Sequence, residues 1–278
     1  MPREDDFSMD KIKRNERLAA MTQILTASPN HIFTLSYFCD LFSTAKSTVS
    51  EDVAILQETM KQFKLGKLET VTGAAGGVRY RPIGLGSSSR AFIEGICEKL
   101  RAPERQLPGG YLYFSDILSE PQLVQGMGTL IASQYYNCGA DFVLTMETKG
   151  IPVALMTASA LRVPLIIARH ATKVYEGSAV NISYVSGSGS IETMALSRRA
   201  VKEGQKALIV DDFMRGGGTA RGMVELMKEF NVSVVGTCFV LALENPKKRL
   251  IEGEKSLMLL SDMRDEQPFT VRPADWIE

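Results

Sequence analysis

At 278 residues, with 32 Lys and Arg against 32 Asp and Glu, the chain has room for about two domains and no net charge that would hold it as a whole to nucleic acid or membrane. No apolar run reaches the roughly 18 residues that cross a bilayer, and the opening Met1 to Asp6 lacks the apolar core of a secretion signal, so a soluble cytoplasmic protein is expected. Cys39, Cys97, Cys138 and Cys238 lie far apart with no C-x-x-C pair, which argues for buried free thiols rather than structural zinc or a disulfide framework.

The first ten residues are acidic, polar and expected to fray. From Asn15 to Ala27, Leu18, Met21, Ile24 and Leu25 recur at helical spacing until Ser28-Pro29-Asn30 stops the pattern. Ile32 to Leu35 fits a short strand, Ser36 to Phe42 a short helix, and Ser43 to Lys46 a turn. A second long helix is predicted from Ser47 to about Phe63, with Ser47 as N-cap and Val49, Val53, Leu56 and Met60 facing inward. Gly66 to Val71 and Val78 to Arg81, joined by a Gly/Ala-rich tip, form a β-hairpin pattern. Helix, strand, helix, turn, helix, hairpin is the order of a winged helix-turn-helix.

A module of this kind reads DNA by laying its second long helix in the major groove, N-terminus first. Lys46, Ser47, Thr48 and Ser50 would then reach phosphates and base edges. Lys67, Arg79 and Arg81 on the wing, with Lys11, Lys13, Arg14 and Arg17 near the first helix, would contact flanking phosphates. Residues 11–82 hold ten Lys and Arg against six Asp and Glu, a local surplus of four positive charges in a neutral chain. A winged helix that binds protein instead of DNA carries the same pattern of elements.

Composition shifts between Pro82 and Ser89. Residues 88–101 pattern as an amphipathic helix, Tyr111 to Phe114 as a strand or its start, and 121–137 as a helix. Asp141 to Met146 is a buried strand, Val153 to Ala160 a helix and Pro164 to Ala168 another strand. Between Arg169 and Arg199 a polar stretch with Ser and Gly at its tip suggests a mobile hairpin. A strand over 206–212, a helix over 219–230 and a strand from Ser233 to Leu243 follow, and apolar strands alternating with helices predict a parallel α/β sheet. Lys247 to Glu278 reads as a charged tail, with Trp276 packing on the surface.

The stretch from Leu208 to Ala220 carries the most chemistry. An apolar strand runs through Asp211 and Asp212, past Phe213, Met214 and Arg215, into Gly216, Gly217, Gly218 and Thr219, where a helix begins. Glycines let the backbone approach an anion, and a helix N-terminus offers unpaired N–H groups and a positive dipole end. The two carboxylates suit the vicinal hydroxyls of a ribose, so the motif reads as a ribose-5-phosphate site. Glu147, Thr148, Lys149 and Gly150 form a second turn into a helix, on a neighbouring strand, and such a turn offers amides to a second anion.

The acidic pair and glycine entry resemble the phosphoribosyl pyrophosphate signature of type I phosphoribosyltransferases. By that resemblance Glu147 to Gly150 would hold pyrophosphate, and Lys173 and Tyr175 would belong to a flexible hood over the ligand. Residues 11–82 and 84–272 together resemble the purine operon repressors of Gram-positive bacteria, the Asp211 to Thr219 stretch most closely. This implies an N-terminal winged helix-turn-helix over 1–82 and a parallel-sheet phosphoribosyltransferase fold over 83–278 that binds an effector. It also implies a homodimer on double-stranded operator DNA upstream of purine genes, away from membranes, released by 5-phosphoribosyl 1-pyrophosphate. Guanosine tetraphosphate is implied as a competing ligand favouring repression, with Phe213, Arg215 and either Tyr111 or Tyr113 around its purine and phosphates. No cofactor is required, and magnesium would arrive with the effector, since no protein ligands for it are evident. The fold would sense rather than catalyse. A working purine phosphoribosyltransferase with a nucleic-acid-binding arm is the alternative.

Overall fold

The computed structural model describes residues 12–73, 76–82, 89–171, 177–186, 189–261 and 269–277. The acidic N-terminus with Lys11, most of the stretch from Pro82 to Ser89, Lys173 and Tyr175 lie outside the described residues. The chain divides into two units, Met1–Ile83 and Gly84–Glu278.

In the first unit, α1 (Arg14–Ala27) buries Met21 and Leu25, one turn apart, and β1 (Ile32–Phe33) follows. The Thr34 hydroxyl accepts from the Tyr37 amide at 3.1 Å and so starts α2 (Leu35–Phe42). Ser43, in the left-handed conformation, ends it. α3 (Lys46–Gln62) begins one residue earlier than the sequence suggests, with extended Ala45 as N-cap and no side-chain cap. Ser47 is therefore not the cap but part of the first turn, because Thr44 and Ala45 alone carry the chain from Ser43 back into helix. Val49, Val53, Leu56 and Met60 are buried, as their spacing requires.

Strands β2 (Lys67–Val71) and β3 (Gly77–Arg81) form the antiparallel wing, in the order β1-β3-β2. Period-two alternation puts Leu68, Val78 and Tyr80 into the core and pairs Lys67 with Arg81 and Glu69 with Arg79 on the opposite face.

The second unit opens with α4 (Ser89–Leu100), then β4 (Gln106–Leu107) and β5 (Tyr111–Leu112), which form a two-residue ladder. Tyr111 to Phe114 is thus not a strand of the main sheet. After α5 (Pro121–Tyr135) come β6 (Phe142–Met146), α6 (Ile151–Leu161), β7 (Leu165–Ala168) and the hairpin β8 (Ala179–Val185) and β9 (Ile191–Ser197). The chain continues through β10 (Lys206–Met214), α7 (Gly218–Glu229) and β11 (Ser233–Leu243). β12 (Lys255–Leu260) and β13 (Val271–Pro273) complete a six-stranded sheet of order β13-β12-β11-β10-β6-β7, parallel except between β12 and β13.

Leu208 and Val210 of β10 pack on the face covered by α4, α5 and α6, and Ala207 and Ile209 on the face covered by α7 and the hairpin. Burial on both faces is what makes β6 and β10 continuous apolar runs. The charged tail is corrected: two of its segments are sheet strands, and half-buried Trp276 packs on the core with its Nε1 donating to the Ser256 carbonyl at 2.7 Å. The Lys255 ammonium lies 5.4 Å from its ring.

Candidate functional site

β10 runs three residues past Asp211, so both carboxylates lie within the strand rather than at its end. Asp211 shares its parity with Ala207 and Ile209, toward α7, and is buried. Beyond Met214 the chain turns through Arg215 and Gly216 to Gly217, whose φ of +84° is a left-handed conformation suited to glycine. Gly217 is the N-cap of α7 and no side chain caps it, which leaves the first-turn N–H groups without an intrahelical partner. Met214 is buried in one cluster with Ala220, supports this turn and lines a small cavity at the start of α7. The Leu250 amide donates to the Gly216 carbonyl at 2.9 Å, which fixes the β11–β12 loop against the glycine turn.

The second turn meets the first at Gly150, the N-cap of α6. A Cβ at Gly150 would overlap Asp211 Oδ1 and stand 2.5 Å from Thr145 Oγ1. Thr145, fully buried on β6, donates its hydroxyl to Asp211 Oδ1 at 3.2 Å. Asp211 therefore ties the two turns together from below. Asp212, half-buried, faces a cleft that Lys149 also lines.

The Glu147 carboxylate is held internally, accepting from the His170 amide at 2.7 Å and from Arg169 at 3.2 Å. Burial works to raise its pKa, but these donors hold it below the usual carboxylate range.

Burial first, and the Asp212 charge second, push the Asp211 carboxyl well above its ordinary range. Burial also raises Asp212, against the Phe213 amide and the charge of Lys149. A carboxyl with a raised folded pKa contributes fully below its unfolded value near pH 4, and that contribution is lost as pH rises toward the folded value. Asp211→Asn is therefore expected to raise the unfolding midpoint of this unit at pH 7 and to leave it unchanged near pH 4, read by Trp276 fluorescence. A midpoint lowered equally at both would show that the carboxylate is held as an anion.

The cleft has a volume of about 850 Å³. Tyr111, Phe213 and Arg215 line it together with Asp212 and Lys149. Arg215 donates to the Gly110 carbonyl at 3.1 Å and lies 5.7 Å from the Tyr111 ring centre. Phe213 meets Phe114 edge to face at 6.4 Å. Tyr113 is not part of the lining; Arg105 sits 5.9 Å from its ring. A smaller cavity of about 220 Å³ at the start of α7 is lined by Asp211, Gly217, Gly218 and Thr219.

Lys247 and Lys248, on the β11–β12 loop, also line the large cleft and were not among the expected contacts. The signal was present in Asn245-Pro246-Lys247-Lys248, a basic turn after an apolar strand, but it becomes visible only once β12 is recognised. Among the described residues no cluster of three or more His, Cys, Asp or Glu could hold a metal ion, and no helix is long and apolar enough to cross a membrane.

On the winged-helix unit, Lys46, Ser47 and Ser50 are exposed and Thr48 half-buried, all in the first turns of α3. Lys13 is exposed beside α1, its backbone amide donating to Glu16. Arg17 and Arg81 are corrected from phosphate contacts to internal ones. Arg17 is buried and bonded to Asp52 at 2.6 Å, and Arg81 is buried and paired with Glu69 at 3.2 Å. Arg14 remains half-exposed but bridges Glu51 at 2.8 Å. Lys67 is exposed, and it shares Glu69 with Arg79, each at 2.9 Å. Burial would raise Glu69, but Lys67, Arg79 and Arg81 together hold its pKa below the usual range.

Fold and site define a class: a winged-helix unit followed by a phosphoribosyltransferase fold. Residues 13–82 match the model of the bacterial purine repressor N-terminal domain, and residues 114–273 that of the phosphoribosyl transferase domain. The purine biosynthesis transcriptional repressor PurR of Bacillus subtilis strain 168 is 43% identical over 252 residues, 90% of this chain and 88% of that protein. The purine biosynthesis transcriptional activator PurR of Lactococcus lactis strain IL1403 is 42% identical, over 89% of this chain and 92% of its own length. Xanthine phosphoribosyltransferase of the same organism is 33% identical, over 50% of this chain and 73% of its own. Adenine phosphoribosyltransferase of Thermoanaerobacter pseudethanolicus superposes with a TM-score of 0.52 at 20% identity, over 61% of this chain and 97% of that one, a likeness of fold. The chain belongs to the bacterial purine repressor family.

Proposed function

We propose that this protein is a cytoplasmic, homodimeric transcriptional repressor of purine biosynthesis and transport genes, and that 5-phosphoribosyl 1-pyrophosphate bound in the cleft releases it from operator DNA. The observation that carries the effector reading is the convergence in one unit of an uncapped helix N-terminus behind a glycine turn, a carboxylate pair, and a second turn bearing Lys149. Such a site suits a ligand with a 5-phosphate, vicinal hydroxyls and a pyrophosphate. Magnesium would accompany the pyrophosphate. Guanosine tetraphosphate competes for the same cleft in this reading, its purine near Phe213 and Tyr111 and its phosphates near Arg215. Affinity without a placed nucleophile gives sensing rather than transfer.

The family likeness supports DNA as the partner of the first unit, and the exposed first turn of α3 offers Lys46, Ser47 and Ser50 to it. Arg17 and Arg81 are left out of that contact set. Lys46→Ala is expected to weaken binding on every sequence and to reduce the salt slope by about one. A slope equal to wild type would remove Lys46 from the phosphate contacts.

The deciding experiment is binding to a duplex from upstream of a purine gene at fixed salt, with and without phosphoribosyl pyrophosphate and magnesium. Tight binding dissolved by the effector supports the reading. Asp212→Ala is expected to keep the DNA affinity and lose the release, because the sugar hydroxyls lose their acceptor; release at wild-type effector concentration would sink the sugar-site assignment. One relative of nearly equal identity is named an activator, so transcription from the bound promoter must decide the sign of regulation. Likeness to xanthine phosphoribosyltransferase keeps one further outcome: consumption of the effector when a purine base is added would make the chain an enzyme.

A further inference from the structure

Asp52 sits two residues beyond Ser50 on α3, yet its side chain has no solvent exposure. Its Oδ2 accepts from Arg17 Nε at 2.6 Å, and Arg17, 7% exposed, also donates Nη1 to the Ile12 carbonyl at 2.9 Å. Asp52 Oδ1 is buried without a hydrogen-bond partner, and Arg14 Nε stands 3.4 Å from it. Arg14 in turn holds Glu51 at 2.8 Å. Two arginines one turn apart on α1 thus grip two consecutive carboxylates on α3, just behind the turn that carries Lys46, Ser47 and Ser50.

Burying an ion pair rarely stabilises a protein relative to an apolar pair of similar volume, since desolvation offsets the attraction. What such a pair does supply is direction. Val49, Val53 and Leu56 tolerate small slides and rotations of a helix, whereas a buried guanidinium held at once by the Asp52 carboxylate and the Ile12 carbonyl accepts few. Sequence readout depends on side chains reaching base edges within a fraction of an ångström, while phosphate contact does not.

We propose that Arg17 and Asp52 are positioning residues that set the rotation of α3 against α1 and thereby its discrimination between DNA sequences, with little net contribution to stability. This rests on the reading of α3 as the helix that enters the groove. Neither side chain touches DNA, so the pair governs specificity without adding to the salt-dependent affinity.

The test uses the full chain, a duplex enriched by the wild-type protein from a random-sequence pool, and a scrambled duplex of the same composition. The double variant Arg17→Met with Asp52→Leu is expected to unfold at the wild-type midpoint and to bind the scrambled duplex with unchanged affinity and salt slope. Its affinity for the enriched duplex is expected to fall by about tenfold or more, the loss typical of a misread base pair. An unchanged ratio of the two affinities overturns the proposal. So does an equal loss on both duplexes with a shallower salt slope, which would make Arg17 a phosphate contact. A double variant that fails to fold would overturn the claim of small net stability. Arg17→Lys, which keeps the charge but gives up the fork reaching Ile12, then tests positioning alone: a reduced ratio supports it and an unchanged one overturns it. Ser47→Glu and Ser50→Glu serve as controls on α3 itself. Enriched-duplex binding indifferent to both would show that α3 is not the reader, and the failure would then belong to that reading first.

Discussion

Asp52→Leu alone is expected to cost the winged-helix unit about 3–5 kcal/mol, the usual penalty for leaving one member of a buried ion pair without its partner. Arg17 is fixed under α3 with its Nε aimed at the missing carboxylate, and Arg14 loses part of its anchor. Each kcal/mol lowers the midpoint of a domain of this size by about 4–8 °C, so the transition moves well clear of the wild-type one. The chain's single Trp, Trp276, belongs to the second unit and is blind to this change, so calorimetry of the whole chain is the measurement. A loss below about 1 kcal/mol would mean that Arg17 swings out to water and that the pair is only a surface contact folded inward. Contrast with the double apolar variant is the informative part: the single and double replacements are expected to differ by the whole penalty, a coupling that only residues in direct contact show.

Gly150→Ala is expected to abolish binding of phosphoribosyl pyrophosphate while leaving DNA affinity intact. The added methyl overlaps Asp211 Oδ1 and crowds Thr145 Oγ1, and both neighbours are buried. Relief by lifting the 147–150 turn off β10 separates it from the glycine turn, and relief by pushing Asp211 into the small cavity it lines displaces the carboxylate pair. Overpacking of this kind costs about 1–3 kcal/mol of stability, but the loss of ligand geometry is the larger effect because both turns must hold one ligand at once. Calorimetric titration with phosphoribosyl pyrophosphate and magnesium checks it, alongside thermal unfolding of the same sample. Wild-type affinity in a folded variant would mean that the ligand does not bridge the turns.

The order of elements was legible because it depends on local periodicity. Val49, Val53, Leu56 and Met60 marked the buried face of α3, and the apolar runs of β6, β10 and β11 marked strands covered on both sides. The strand, acidic pair, glycine turn and helix of residues 206–229 were likewise readable, since each step has its own backbone requirement. β12 and β13 were not, because Lys255 to Leu260 is short, begins with a charge and gains its strand character only by pairing with β11. Ser47 was misread as a cap because Ser and Thr favour that position on average, whereas the left-handed Ser43 had already set where α3 begins.

Charge is where local pattern runs out. Composition identified a basic first unit, but Arg17 and Arg81 turned out to be consumed internally, by Asp52 from 35 residues away and by Glu69 across the wing. The carboxylate pair divides in a similar way: adjacent in sequence, Asp211 lies against Gly150 and lines the small cavity at the start of α7, whereas Asp212 lines the large cleft. Lys247 and Lys248 line that cleft on a loop whose Leu250 amide bonds to the Gly216 carbonyl. The amino-acid pattern alone thus settled most of the helices and strands, the faces they bury and the glycine turn that opens α7, since those follow from backbone geometry and spacing within a few residues. Which cations remain exposed, which of two neighbouring acids lines the large cleft, and which loop borders it were settled by packing, because each depends on groups far apart in the chain that only the folded sheet and helices bring together.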